Sequence, residues 1–338
     1  MLRSLANSLF DAHATDAHWF RFARVFLTAF FGILAGLLAM IAIVDPYDSG
    51  QFPVSLITGI TDKDPRFASA SRGRDPRFDA AVFGNSHGQA IHPVRLSQAT
   101  GLRFVQMTVP GITPREQLTL MNWFARHHAN IEAIVLVVDE WWCTHDPNLP
   151  TRYEFPYWLY SGRTLDHLPK LLSTQSFDRS IRRVALAFGL TEAADPNGFL
   201  DYEEGKTWSF SPAPIAELEA QSGLASPKPA DPFPAAEQLA AMLSNLPADV
   251  PVIFVMPPVY YSSLPRPGTA AAADLSSCKF ALAQIVAQRK RGDFLDMQVD
   301  TALARDPKNF MDATHYRANV AVMIENRIAA ALKAQTPR

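Results

Sequence analysis

The segment FDAAVFGNSHG, residues 78–88, joins a largely apolar run to a short polar turn. The run does not alternate between polar and apolar residues, a pattern typical of a strand covered on both faces of a parallel sheet. The turn that follows has a glycine on each side of Asn85, Ser86 and His87. We therefore predict a strand at 78–84 that ends in a tight turn, where open α/β sheets carry their functional side chains.

Four further apolar runs repeat the strand pattern along the chain. We predict strands at residues 103–107, 133–138, 252–256 and 294–297. Segments with helical character separate them, and one of these begins with the N-capping sequence TPRE at residues 113–116. The alternation of strand and helix predicts an α/β fold with right-handed crossovers and a doubly wound, parallel sheet of about five strands.

A long insertion, residues 145–233, interrupts the alternation between the third and fourth strands. It is rich in aromatic side chains and ends in a proline- and alanine-rich stretch. The insertion leaves the sheet at the edge where loops build specificity in open α/β folds, and Tyr and Trp suit stacking on sugar rings. We predict a cap over that edge; the alternatives are a separate helical subdomain and a docking surface for a membrane partner.

An uncharged apolar run near the N-terminus, residues 25–44, is long enough to cross a membrane. Its 20 residues would span about 30 Å as a helix, the thickness of a bilayer's hydrocarbon core. Two alternatives fit this run less well. A cleaved signal peptide has a shorter apolar region, of about 7–15 residues, followed by a small-residue cleavage site. A buried core helix usually carries some polar positions, whereas this run has no charged residue. We predict a single uncleaved membrane helix.

The charges on either side of this run predict its orientation. Arg3, Arg21 and Arg24 precede it, and Asp45 and Asp48 follow it. By the positive-inside rule, the N-terminal stub lies in the cytoplasm and the rest of the chain lies outside. The predicted parts are a stub at 1–24, a membrane helix at 25–44, a stalk at 45–77 and an outer domain at 78–334.

The composition excludes several classes of protein. With 31 basic and 33 acidic residues among 338, the chain lacks the basic surplus of a nucleic-acid-binding protein. Its two cysteines, Cys143 and Cys278, exclude a disulfide-rich scaffold; they are either a disulfide formed in an oxidising compartment or two buried thiols. No phosphate-binding glycine loop or metal-ligand motif is present in the sequence, so we predict no metal or other cofactor.

Two short motifs provide the groups of a serine nucleophile and its base. In the first, FGNSHG, a serine on a tight strand-to-helix turn is exposed, and its own N–H can face a developing oxyanion. In the second, DATHYR, the three-residue spacing lets Asp312 accept a hydrogen bond from one nitrogen of His315 and leaves the other nitrogen for Ser86. Each motif alone is common, but the two lie in this order at opposite ends of one α/β domain.

This order of motifs resembles the SGNH (GDSL-like) hydrolase superfamily over residues 78–144 and 250–334. The resemblance implies a three-layer, flavodoxin-like fold, and an oxyanion hole formed by the N–H groups of Ser86 and Gly111. Asn85 stands where the commonest family pattern has aspartate. The implied catalytic triad is Ser86, His315 and Asp312.

The third block of the family differs in this chain. It normally supplies an asparagine to the oxyanion hole, whereas here the third strand leads into Asp139 and Glu140. An ionised carboxylate cannot donate a hydrogen bond, so either two backbone donors form the hole or another group completes it. Loss of one donor typically costs about 10²–10³-fold in rate, which favours slow turnover or an activated acyl donor.

Together, this departure and the N-terminal apolar run resemble one branch of the superfamily. Its members are the membrane-anchored proteins of lipoteichoic acid D-alanylation and alginate O-acetylation, which work beside a membrane-bound O-acyltransferase. The resemblance implies a periplasmic, inner-membrane-anchored acyltransferase that O-acylates, in particular O-acetylates, an envelope polysaccharide through an acyl-serine. The alternatives are an esterase that uses the same triad with water and a non-catalytic partner subunit.

Six side chains are candidates for contact with substrate. Three lie beside the nucleophile or at the end of the third strand, and three are aromatic residues of the insertion. They are Asn85, His87, Asp139, Tyr157, Trp158 and Trp208.

Overall fold

A five-stranded, all-parallel sheet forms the centre of the protein and confirms the predicted α/β class. The computed structural model describes residues 16–52, 54–207, 210–211 and 233–335. The strand order is β2-β1-β3-β4-β5. The strands are β1 (Ala80–Gly84), β2 (Phe104–Thr108), β3 (Ala133–Val137), β4 (Val252–Met256) and β5 (Gly292–Asp296).

Helices cover both faces of this sheet. Alternate strand residues such as Phe83 and Val82 face opposite ways, so the sheet contributes to two separate apolar cores. One core packs under α4, α7 and α8, and the other packs under α3 and α10. The α-helices of the described chain are α1 (Asp16–Val44), α2 (Pro65–Arg72), α3 (Pro93–Thr100), α4 (Pro114–His127), α5 (Thr164–Leu171), α6 (Thr174–Ala187), α7 (Pro234–Ser244), α8 (Ala270–Ala287), α9 (Ala302–Arg305) and α10 (Ala318–Ala334).

The strand order places a switch point next to β1. From β1 the chain crosses to β2 on one side and then returns to β3 on the other side. The loops after β1 and β3 therefore diverge from neighbouring strand ends and leave a crevice between them. Crevices of this kind are where open α/β sheets bind ligands, and the turn that contains Ser86 begins at this one.

The N-terminal helix α1 is long and apolar enough to cross a membrane. Within His18–Val44, a window of 18 residues has a mean hydropathy of 2.6, and most of that window is exposed. The helix begins at Asp16, so the end of the predicted stub is helical as well.

The predicted stalk, residues 45–77, is instead packed into the domain. Asp45, Tyr47 and Asp48 are buried, and α2 lies within the same segment. Polar contacts hold the segment around Asp48 in place. Ser71 Oγ donates a hydrogen bond to the Asp48 carboxylate (2.6 Å), and Arg74 forms an ion pair with the same carboxylate. Ser71 and Arg74 belong to the same segment but lie 23 and 26 positions after Asp48, so the sequence around Asp48 does not indicate them as its partners.

A buried arginine joins α1 to the domain. The guanidinium of Arg183, in α6, donates hydrogen bonds to the carbonyl oxygens of Val44 (2.6 Å), Asp45 and Ile57 and lies 3.2 Å from the carboxylate of Asp48. The last carbonyls of a helix have no partner within the helix, and here the side chain of Arg183 supplies it. The end of α1 is therefore fixed to the globular domain.

A disulfide bond joins Cys143 to Cys278, across 135 residues of sequence. It links the 3₁₀ turn after β3 (Glu140–Cys143) to α8. Of the two alternatives left open by the sequence, the structure therefore contains the bonded pair.

Replacing both cysteines by alanine should lower the free energy of unfolding by about 2–5 kcal/mol, because the bond closes a long loop in the unfolded chain. Urea unfolding of the full chain in detergent would measure the difference, with Ser277→Ala on α8 as the control. A reducing agent should destabilise the wild type but not the double variant. Equal effects on both proteins would contradict a stabilising bond.

Candidate active site

A chain of hydrogen bonds connects Ser86, His315 and Asp312. Ser86 Oγ lies 2.9 Å from His315 Nε2, and His315 Nδ1 lies 2.8 Å from Asp312 Oδ2. A proton on Nδ1 that is donated to the carboxylate leaves Nε2 free to accept the hydroxyl proton of Ser86. The structure thus brings together the three residues that the two sequence motifs predicted, and it gives them the geometry of a nucleophile, a base and an orienting carboxylate.

The turn that holds Ser86 is fixed by buried amide groups. Asn85 caps the 3₁₀ turn Ser86–Gly88, and its side-chain oxygen accepts a hydrogen bond from His87 N (3.0 Å). The buried amide of Gln106, in β2, donates to the carbonyl oxygens of Gly88 (3.2 Å), Gln89 (3.0 Å) and Ile91 (2.9 Å). These bonds fix the backbone on the C-terminal side of the serine.

Gly84 allows this turn to lie close to the neighbouring strand. Its φ is +151°, and a Cβ placed there would lie 2.9 Å from Val137 Cβ. A larger residue would push β1 away from β3 at the point where the serine turn begins. The close packing of β1 against β3 at this edge therefore requires a glycine at position 84.

The turn that holds His315 is organised by Asp312. Asp312 Oδ1 accepts hydrogen bonds from Thr314 N (2.8 Å) and His315 N (2.9 Å). Although partial burial alone would raise the pKa of Asp312, the hydrogen bonds from His315 and Thr314 hold that pKa well below its usual range. Asp312 is therefore ionised at neutral pH and can stabilise a positive charge on His315.

Asp139 supports the serine turn from the end of β3. Its carboxylate accepts hydrogen bonds from the side-chain amide of Asn85 and from Trp141 N (3.1 Å), and it lies 3.5 Å from His87 Nδ1. Burial alone would lower the pKa of His87, but the hydrogen bond and negative charge of Asp139 raise it. Asp139 is thus the partner of two residues next to the nucleophile.

The neighbouring Glu140 completes an acidic cluster. Crowding by the surrounding protein and the charge of Asp139 raise the pKa of Glu140, although the residue as a whole is exposed. His87, Asp139 and Glu140 bring potential cation ligands within 4.8 Å of one another. The hydrogen bonds already made by Asp139 suit a structural role for it in orienting Asn85 and His87.

Gly111 lies in the loop after β2, beside the serine turn. The two loops are joined by the hydrogen bond from Val109 N to Gly84 O (3.0 Å). Gly111 has a φ of +72°, and a Cβ there would lie 2.5 Å from the ring of Tyr153. Tyr153, which the sequence did not single out as a site residue, therefore covers the predicted oxyanion donor with a half-exposed ring.

Two arginines flank that ring. The guanidinium carbons of Arg66 and Arg152 lie 5.6 Å and 5.4 Å from the centroid of Tyr153. Arg66 also donates a hydrogen bond to Pro110 O (2.7 Å), next to Gly111. The edge of the site beside Gly111 thus carries an aromatic ring and two positive charges close to it.

The second half of the insertion lies along the sheet edge and reaches the histidine turn. Asn197 O accepts a hydrogen bond from Gln106 N (2.8 Å), which covers the free edge of β2. Further on, the carboxylate of Glu203 accepts hydrogen bonds from Arg317 Nε (3.0 Å) and Ala318 N (2.5 Å) at the start of α10. A cavity of about 270 Å³ lies here, between Ala90 and Met311, and Tyr202 is part of its wall.

Two of the three aromatic residues of the insertion that were predicted to contact substrate, Tyr157 and Trp158, pack against other side chains of the protein. Tyr157 packs beside Phe155 and under the guanidinium of Arg115. Trp158 packs against Tyr47 and His167. Among the described residues, no contact between aromatic rings joins Trp158 to His315 of the triad. Trp208 lies outside the described residues, so its predicted role stays a prediction.

Comparison with protein-family models and with curated proteins finds no match for this chain. The sequence motifs and the geometry of the site are therefore the basis for assigning a function. That geometry is suited to nucleophilic attack on an acyl carbon, because a half-buried serine hydroxyl, a base and an orienting carboxylate lie in hydrogen-bond sequence.

The His87–Asp139 pair should make stability depend on pH. Because the folded state raises the pKa of His87 above the ordinary value of 6.5, the pair stabilises the fold fully below about pH 6.5 and loses this contribution as pH rises through the folded pKa. The stability advantage of wild type over His87→Gln should therefore be larger at pH 5.5 than at pH 9. Thermal unfolding of the full chain in detergent measures it.

His127 provides a control of opposite sign. Burial lowers its pKa, so its protonation destabilises the fold at low pH, and wild type should lose stability relative to His127→Gln as pH falls. A pH-independent difference between wild type and His87→Gln would contradict a charged His87–Asp139 pair.

Proposed function

We propose that the protein is a membrane-anchored, SGNH-like serine acyltransferase of the bacterial envelope. In this proposal it transfers an acyl group, in particular acetyl, to a hydroxyl of an envelope polysaccharide. The single observation that carries the proposal is the hydrogen-bond sequence from Ser86 through His315 to Asp312. The SGNH-like order of the motifs supports the assignment to this superfamily.

The proposed location rests on three features of the chain. The apolar helix α1 has the length and hydropathy of a membrane anchor. Basic residues precede it and acidic residues follow it, which favours a cytoplasmic N-terminus and a periplasmic domain. The bond between Cys143 and Cys278 suits an oxidising compartment. A membrane-bound O-acyltransferase is the proposed partner that supplies the acyl group.

The proposed reaction has two transfers through one serine. Ser86 Oγ attacks the carbonyl carbon of the acyl donor while His315 Nε2 takes the hydroxyl proton, and this proton then goes to the departing group of the donor. The acceptor hydroxyl next gives its proton to His315 and attacks the acyl-serine. Ser86 leaves as the alkoxide and recovers the proton from His315. Asp312 holds the imidazole in the required tautomer and stabilises its charged form.

The oxyanion of both tetrahedral intermediates would be bound by backbone groups. We assign this role to the N–H groups of Ser86 and Gly111, which lie on adjacent loops. By the resemblance, Asp139 or Glu140 stands where the superfamily has an asparagine, and the carboxylate of Asp139 accepts hydrogen bonds from Asn85 and Trp141. With one donor fewer, the reaction would be slower by about 10²–10³-fold, which suits an activated donor.

Two alternatives have specific support. The Asp312 side chain is 54% exposed and that of His315 is 28% exposed, so water can approach the base, as an esterase requires. The carboxylate in place of an oxyanion donor would suit a non-catalytic partner subunit. The three functions differ in whether an acyl-serine forms and in what accepts its acyl group.

Replacing Ser86 by alanine should remove acyl transfer, with a loss on the order of 10⁴- to 10⁶-fold, because no other hydroxyl lies at His315 Nε2 among the described contacts. Asp312→Asn should cost about 10⁴-fold through loss of the productive tautomer. The measurement is release of p-nitrophenol from p-nitrophenyl acetate by the full chain, together with mass spectrometry of the acyl-enzyme.

The exposed Ser277→Ala variant is the matched control and should react as wild type does. A wild-type protein that forms no acyl-serine and does not react with a fluorophosphonate would favour the non-catalytic alternative. Turnover that an oligosaccharide acceptor does not accelerate, with no acylated product, would favour the esterase.

Tyr153→Ala should raise the KM for an oligosaccharide acceptor severalfold while leaving the rate with p-nitrophenyl acetate nearly unchanged. The ring is half-exposed beside Gly111, where a sugar can stack on it, whereas a small ester needs only the nucleophile and the oxyanion donors. Initial rates over a range of acceptor concentrations measure this. The matched control is Phe280→Ala, an exposed aromatic on α8; equal effects of both changes would contradict an acceptor site at Tyr153.

A further inference from the structure

An exposed apolar stripe runs along α6 and into the residue after it. Phe177, Ile181, Val184 and Phe188 are spaced by four, three and four residues and therefore lie on one side of the helix. Their exposed fractions are 48%, 54%, 36% and 76%. Ser176, Ser180 and Arg183 are buried instead. The helix thus packs on the domain through small and polar residues and presents apolar residues outward, the reverse of an ordinary surface helix.

The preceding helix α5 continues this surface. Leu165, Leu168 and Leu172 follow a three- and four-residue spacing and are 70%, 40% and 53% exposed. Leu190, beyond the end of α6, is 78% exposed. Exposed apolar residues scattered singly are common in soluble proteins, but a contiguous set marks an interaction surface.

This surface is fixed to the end of the membrane helix. The side chain of Arg183, on α6, holds the carbonyl oxygen of Val44, the last residue of α1. Leu56, which is 82% exposed, donates its N–H to Ile43 O (3.2 Å). Because the end of a membrane-spanning helix lies at the boundary between lipid and water, residues bound to it lie at the same depth.

We propose that α5, α6 and residues 54–56 form a second contact with the bilayer that α1 spans. Their apolar side chains lie in the boundary between headgroups and acyl chains, as those of interfacial amphipathic helices do. The exposed cations Arg163 and Lys170 on and beside α5 reach lipid phosphates from this position. This proposal rests on the membrane anchoring of α1 proposed above and not on the acyltransferase activity.

The contact has a consequence for access to the site. A cavity of about 890 Å³ has Ile181, Arg182 and Ala185 of α6 in one wall and Gln89, next to the serine turn, in another. With α6 at the bilayer surface, this cavity adjoins the membrane on one side and the active-site turn on the other.

Lipid contact can be measured on the purified full chain in nanodiscs of phosphatidylcholine and phosphatidylglycerol. Single cysteines would be introduced as Leu165→Cys, Phe177→Cys or Phe188→Cys, with the native disulfide intact, and labelled with a polarity-sensitive fluorophore. Lipids that carry a nitroxide at a shallow or a deep acyl position then report depth. We expect at least twofold stronger quenching by the shallow nitroxide at these three positions than at the control, together with protection from aqueous iodide.

The matched control is Phe280→Cys, because Phe280 is an equally exposed aromatic residue on α8 and should be quenched by iodide and not by lipid. Phe31→Cys, in the middle of α1, tests the anchoring itself and should be quenched best by the deep nitroxide. If Phe31→Cys is deep while the labels on α5 and α6 are as open to iodide as Phe280→Cys, the anchor stands and the second contact is refuted. Protection that requires an added membrane protein would likewise refute a lipid contact.

All labelled positions are exposed, so each variant should retain the thermal unfolding profile of the wild type. Leu190→Cys provides a further site outside both helices if a change within them prevents folding.

Discussion

The parallel direction of all five strands is the constraint on which the candidate site depends. Because every strand ends at the same edge, the turns after β1, β2 and β3 meet there, although each is separated from the next by a helix. Ser86 comes two residues after the end of β1, and α10 packs against β4 and β5, which places the turn before α10 at the same edge. The hydrogen bond between Ser86 and His315 therefore joins residues 229 positions apart.

The carboxylate of Asp139 determines which hydrogen bonds form between the end of β3 and the serine turn. An ionised carboxylate has no proton to donate, but it accepts hydrogen bonds from Asn85 and Trp141 and raises the pKa of His87 through its hydrogen bond and negative charge. The carboxylate of Asp139 lies 3.5 Å from His87 Nδ1 and both side chains are buried, so each provides the other with a polar partner away from water. Asp139 thus gives the serine turn a rigid support.

The features that were predicted correctly from the sequence are those determined by the pattern of neighbouring residues. Continuous Val, Ile and Phe runs gave β3 and β4 within a residue of their ends, and the spacing of Asp312 and His315 gave their hydrogen bond. The partners of Tyr153 and Arg183 depend on tertiary contacts, for which neither residue has a local signal. The segment 45–77 was predicted as a stalk for the same reason, since the buried carboxylate of Asp48 looks like a surface charge until Arg183 and Arg74 are brought to it.

The contacts of Arg183 with the end of α1 also restrict the orientation of the domain relative to that helix. A flexible stalk would let the active site sample a wide volume above the membrane, whereas a buried guanidinium bound to three carbonyl oxygens and a carboxylate fixes one orientation. Buried ion pairs contribute little net stability, because desolvation offsets their attraction, but they can select one geometry over others. If α1 spans the bilayer, the height of Ser86 above the lipid is therefore set by the fold.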